Sequence, residues 1–103
     1  MDTAVARKVD FRWDDPEGCT SPRGWVEADV GQGKHTCVGN YLNYGPVRRA
    51  DMRHAGGDVH AVAYIIETNP LTYMSHTRHL GFEWFAGIAD AKAWIEATVL
   101  ASL

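Results

Sequence analysis

The sequence predicts an α+β fold, with four or five antiparallel strands and one C-terminal helix packed on one face of the sheet. Three observations predict it. Apolar residues alternate along several short stretches, the period of a strand whose two faces meet different surroundings. Glycine, proline, asparagine and aspartate interrupt those stretches at short intervals, as turns require. The final segment changes to a three-to-four residue period, the spacing of a helix with one buried stripe. With 103 residues and no linker or internal repeat, the chain reads as a single domain, 1–103.

Val5, Val9, Phe11 and Trp13 alternate with Lys8, Asp10 and Arg12, which predicts a first strand from Val5 to Trp13. Asp14 to Gly18 break the pattern, because Pro16 has no amide proton and Gly18 accepts turn geometry. A second strand, Gly24 to Val30, turns Val26, Ala28 and Val30 one way and Trp25, Glu27 and Asp29 the other. The turn Gly31-Gln32-Gly33-Lys34 leads into a third strand, His35 to Leu42. So short a link joins two strands as an antiparallel hairpin.

Asn43 to Asp58 is irregular, holding Gly45-Pro46, Gly56-Gly57 and the run Arg48, Arg49, Asp51, Arg53, His54, with room for one short helical turn. Loops of this length in a small domain are characteristically functional or mobile. Val59 to Thr68 is the strongest strand: Val59, Ala61, Ala63 and Ile65 fall on one face, His60, Val62, Tyr64 and Ile66 on the other, and both faces are largely apolar. Asn69-Pro70 ends it. Leu71 to His76 and Leu80 to Phe85 are two further strand candidates, the second with Phe82 and Trp84 on one face. The helix is expected from Ile88 to about Leu100. Ile88, Ala91, Ile95 and Val99 form its apolar stripe with Trp94 beside them, Gly87 is its N-cap, and Asp90 lies near its positive end. Lys92 and Glu96 are four apart and spaced to pair.

A helix of about 13 residues is roughly 20 Å long and 10 Å wide, while strands repeat every ~4.8 Å. One such helix covers only one face of this sheet. The other face carries Val62, Tyr64 and Ile66, extended by Trp25 and Tyr41 where register allows. These five residues, with Arg48, Arg49 and Arg53 of the long loop, are the partner-binding candidates. A large apolar patch on a small protein marks a docking site for another protein or for a second copy of the chain. The competing expectation is that the long loops fold back over it.

Composition narrows the uses. Hydrophobic residues make up 46% and charged residues 22%, a globular mix. The net charge of −3 lacks the basic excess of a non-specific nucleic-acid binder. No apolar run approaches the ~18 residues of a membrane span, and the start of the chain has no secretory h-region. These features predict a cytoplasmic protein, and Cys19 and Cys37 then read as free thiols.

Four constellations bear on chemistry. His76 and His79, with His35, Cys37 and Cys19, suggest a metal site, but the close cysteine pairs typical of structural zinc are missing. Arg48, Arg49, Arg53 and His54 near Tyr41 and Tyr44 have the residue types that hold phosphates and stack bases; the plainer reading is a solvated loop. Asp10, Asp14, Asp15 and Glu17, then Glu27 and Asp29, suit either acid–base work or a negative edge; a solvated turn is the plainer reading. Gly31 to Lys34 is too short for a phosphate loop. No nucleophile motif occurs, and neither a catalytic residue nor a cofactor is expected.

The stretch Leu80-Gly81-Phe82, Phe85 and Ile88-Ala89-Asp90-Ala91-Lys92-Ala93-Trp94-Ile95-Glu96 resembles the ending of many small phage- and plasmid-type proteins. It covers about a quarter of the chain, and its residues are structural. That group includes small inhibitors of host defence such as anti-CRISPR proteins, which are compact, acidic and non-enzymatic. The resemblance implies a steric inhibitor of a nucleic-acid-handling complex. The expectation is therefore a non-catalytic protein-binding module of this kind. The alternatives are a single-strand nucleic-acid-binding module using the three arginines, and a metal-dependent enzyme using His76 and His79.

Overall fold

The structure, a computed structural model, describes residues 9–15, 23–44 and 59–103. Its strands are β1 (Arg12–Asp14), β2 (Arg23–Ala28), β3 (Thr36–Asn43), β4 (Val59–Thr68) and β5 (Ser75–Phe85), followed by helix α1 (Ile88–Ala101). The strands form one antiparallel sheet in the order β1-β2-β3-β4-β5. Each strand therefore lies beside its neighbours in sequence. The fold is α+β, as expected, with the helix packed across β3, β4 and β5.

Alternation along β4 sets the layers. Val59, Ala61, Ala63 and Ile65 point towards the helix and are at most 3% exposed. Val26 and Ala28 of β2 and Val38 and Tyr41 of β3 complete the sheet side of the core, and Ala91, Ile95 and Val99 complete the helix side. Val9, Phe11 and Trp13, expected on alternate positions of the first strand, all pack against this core; the ladder itself holds only Arg12 to Asp14. Val5 to Lys8, the start of that expected strand, lie outside the described residues.

The helix approaches β3 closely because Gly39 has no side chain. A Cβ there would lie 2.6 Å from Cγ2 of Ile95 and 2.8 Å from the carbonyl oxygen of Val62. Gly87 is the N-cap, in extended conformation, and its carbonyl accepts the first helical bond from Ala91. Lys92 and Glu96 reach across to β1 and its flank. The Lys92 ammonium pairs with Asp15 and lies 4.9 Å from the centre of the Trp13 ring, while Glu96 accepts a 2.7 Å bond from Trp13 Nε1. Asp15 also accepts from the buried Tyr41 hydroxyl at 3.0 Å. These contacts clamp a three-residue strand that is too short to hold itself.

Two bulges set the register. Val26 faces Gly39 but Glu27 faces Cys37, leaving Val38 as an extra residue in β3. Ala63 faces Gly81 but Tyr64 faces His79, leaving Leu80 extra in β5. Gly81 meets the second bulge with φ +153°, beyond the ordinary range of a side-chain-bearing residue. The two strand candidates after Pro70 are thus corrected. Leu71 to Met74 form the turn, and one continuous strand of 11 residues runs from Ser75 to Phe85 through the bulge.

Polar side chains hold the β2–β3 and β4–β5 turns. In the β2–β3 turn, Asp29 accepts the backbone N–H groups of Gly31, Gln32 and Gly33. The bond from Gly31 contributes most, and together the three hold the Asp29 carboxyl below its ordinary value. In the β4–β5 turn, Asn69 Oδ1 accepts from Leu71 and Thr72, and Tyr73 adopts φ +61°. No helix among the described residues is long and apolar enough to cross a membrane.

Candidate functional site

The candidate site is the sheet face turned away from α1. Cross-strand partners share a face, so the register identifies its members. Trp25 lies opposite Asn40, which lies opposite Val62, which lies opposite Phe82. Leu42 lies opposite His60, which lies opposite Trp84. Tyr64 faces His79, and Ile66 faces Thr77. Trp25, Val62, Tyr64 and Ile66, four of the residues expected here, do sit together on this face, each half-buried.

Tyr41 does not. It is 1% exposed, faces Gly24 and Ala61, and belongs to the helix-covered core. The bulge explains the difference. Plain alternation puts Cys37 and Tyr41 on one side of β3, but the extra Val38 turns Cys37 to the open face and leaves Tyr41 beneath the helix. Arg48, Arg49 and Arg53 lie outside the described residues, as does Cys19. Cys37 is a free thiol.

The exposed apolar residues of the face include three that the candidate set omitted. Phe82 is 70% exposed and Leu42 42% exposed. Trp84 is half-buried between the His60 ring at 4.7 Å and the Tyr44 ring at 5.6 Å. Phe82 lies 5.7 Å from the His60 ring, so ring contacts link Tyr44, Trp84, His60 and Phe82. The pairing of Phe82 and Trp84 on one face was legible in their alternation; what sequence could not supply was that no described helix or strand is layered over this face.

Two recesses open on the face. One, of about 540 Å³, is lined by His60, Val62, His79, Leu80, Gly81 and Phe82 and is mainly apolar. The other, about 370 Å³, is more polar, with Arg23, Trp25, Cys37, Asn40, Leu42 and Tyr64 among its walls. In the second, burial pushes the Tyr64 phenol up to about 12, helped by the neighbouring Cys37.

Charge divides the face. The β1–β2 half carries Arg12, Asp14, Arg23 and Glu27. Across β4 and β5 the open positions are His60, Val62, Tyr64, Ile66 and Thr68 opposite Trp84, Phe82, His79, Thr77 and Ser75, with no Asp, Glu, Lys or Arg among them. The charges of that hairpin sit on its other side, where Glu67 pairs with His76 at 2.9 Å and with Arg78 at 3.2 Å. His76 and His79 consequently point to opposite faces and do not converge. Among the described residues no group of three or more His, Cys, Asp or Glu is arranged to hold a metal ion.

Comparison with known protein families, curated proteins and solved structures finds no match to the chain.

Proposed function

We propose that this chain is a non-catalytic protein-binding module that docks through the open face of its sheet. The observation that carries the reading is the charge-free half of that face, where Phe82 stands 70% exposed among half-buried Val62, Tyr64, Ile66 and Trp84. Depletion of charge with enrichment of aromatic residues is the compositional mark of an interface core. The adjoining Arg12, Asp14, Arg23 and Glu27 supply a polar margin that fixes orientation more than affinity. Action by such a module is steric: it occupies a surface that another molecule needs.

The narrower reading, a phage- or mobile-element inhibitor of the anti-CRISPR kind acting in the cytoplasm on a nucleic-acid-handling complex, rests on the resemblance of the C-terminal quarter. A test uses two baits, the wild-type chain and Phe82→Asp, with folding checked by circular dichroism. A protein retained by the first, lost by the second and reconstituted from purified components supports docking through this face. Identical retention by both folded baits removes the reading.

One observation favours a second reading. The row Tyr44, Trp84, His60 and Phe82 is a run of rings on which bases stack. Arg12 and Arg23 accompany it on the described part of the face, and Arg12 is already bonded to Asp10 at 3.0 Å. Titration of tryptophan fluorescence with oligo-dT and oligo-U separates the two: salt-sensitive quenching that Arg48, Arg49 and Arg53 replacement abolishes marks a nucleic-acid module.

A further inference from the structure

The β4–β5 hairpin carries two apolar features, an exposed tip and a recess. At its tip Leu71, Tyr73 and Met74 are 87%, 83% and 71% exposed. Their backbone is fixed by the two bonds to Asn69 Oδ1, by Tyr73 N–H to the Asn69 carbonyl at 2.8 Å, and by Asn69 N–H to the Met74 carbonyl at 2.8 Å. With the backbone held this way, burying these side chains requires little further ordering of the chain itself. Further along the same strands lies the apolar recess of about 540 Å³ around Phe82 and Val62, within the ~300–1,000 Å³ that ligand-sized pockets span.

We propose that the occupant of this recess is the hairpin tip of a second copy, so that two chains pair their β4–β5 hairpins face to face about a two-fold axis. The proposal rests on the reading of the open face as a docking surface and names its partner. Tip and recess are separated along β5 by about six residues, or roughly 20 Å. A two-fold axis midway between them, near Ile66 and Thr77, brings each tip to the other chain's recess at once. The contact is then isologous and closes as a dimer. The open positions of both strands carry no Asp, Glu, Lys or Arg, so a chain of net charge −3 meets its copy there without like charges opposed. A face about 33 Å long and two strands, or roughly 10 Å, wide on each copy buries on the order of 700 Å² in total, the size of a weak, transient contact. The dimer is therefore reversible and concentration-dependent.

Sedimentation velocity at about 10 µM and about 500 µM tests it. The wild-type chain should sediment increasingly as a dimer across that range. The tip variant Leu71→Ser/Tyr73→Asn and the recess variant Phe82→Asp should each remain monomeric, with circular dichroism reporting an intact fold. Mixing the two variants should restore association weakly, because one of the two tip–recess contacts survives in the mixed dimer. A wild-type monomer at the upper concentration overturns the proposal, leaving the open face to a different protein. A dimer that resists the tip variant but not Phe82→Asp also overturns it, while keeping the face as the docking surface. Vesicles of phosphatidylcholine complete the test: co-sedimentation of wild type but not of the tip variant, with no dimer, assigns the tip to lipid instead.

Discussion

The two faces of β4 are made of similar residues and have different fates. Val59, Ala61, Ala63 and Ile65 lie under α1 at no more than 3% exposure, while His60, Val62, Tyr64 and Ile66, interleaved with them, stay half-exposed. Their packing partners account for the difference. Ala91, Ile95 and Val99 close one side, and among the described residues no helix or strand is layered over the other. Burial is thus decided by the supply of covering elements as much as by side-chain chemistry, and an apolar strand face left without cover is available for binding.

The sharpest way to break this comparison is to truncate one large residue on each side. Ile95→Ala empties a fully buried site and should cost about 2–5 kcal/mol of unfolding free energy. Phe82→Ala should change the stability of the isolated chain by no more than about 0.5 kcal/mol, as exposed positions do. Equal losses in a denaturant titration would mean that the open face is a second core. Next in size is Gly39→Val, which forces a side chain into the contact between β3 and Ile95. Overpacking there should cost about 1–3 kcal/mol, measurable as a lower thermal midpoint, whereas Asn40→Val, one residue along and on the open face, should be tolerated.

A smaller effect is expected at the clamp on β1. Lys92→Met removes the cation from Asp15, whose side chain is only 10% exposed. The loss should be about 1–2 kcal/mol, the lower part of the range for a buried polar group that loses a partner, because the Tyr41 hydroxyl still donates to Asp15. Hydrogen exchange would then rise first in β1 rather than in β4. The last effect, confined to alkaline pH, lies on the open face. Because burial raises the Tyr64 phenol from 10.0 to about 12, its neutral form is favoured by folding. That contribution is complete below pH 10 and is lost as pH rises from 10 towards 12. Stability should therefore fall across this interval in the wild type and fall less in Tyr64→Phe. An equal decline in both would show that Tyr64 is not the group responsible.

Much of the covered face was legible in the sequence. Period-two alternation places Val59 to Thr68 with the observed ends, and the three-to-four spacing of Ala91, Ile95 and Val99 picks out the helix stripe. Tyr41 was not legible, because an extra residue in the ladder reverses parity and nothing in Cys37-Val38-Gly39 announces it. The continuity of β5 was hidden for the same reason: Leu80 interrupts the alternation that would have linked Ser75 to Phe85. Nor does spacing within α1 reveal that Lys92 and Glu96 reach β1, since that contact joins residues as much as 83 positions apart.

The unpaired Leu80 also matters at the rim of the sheet. β5 is outermost, and 11 residues of unbroken backbone donors and acceptors would be an open template for strand addition and fibre growth. The kink divides that row into two short pieces out of step with each other. An incoming extended chain can match one piece or the other but not both, so growth by edge-to-edge polymerisation is discouraged while the broad side of the sheet stays accessible.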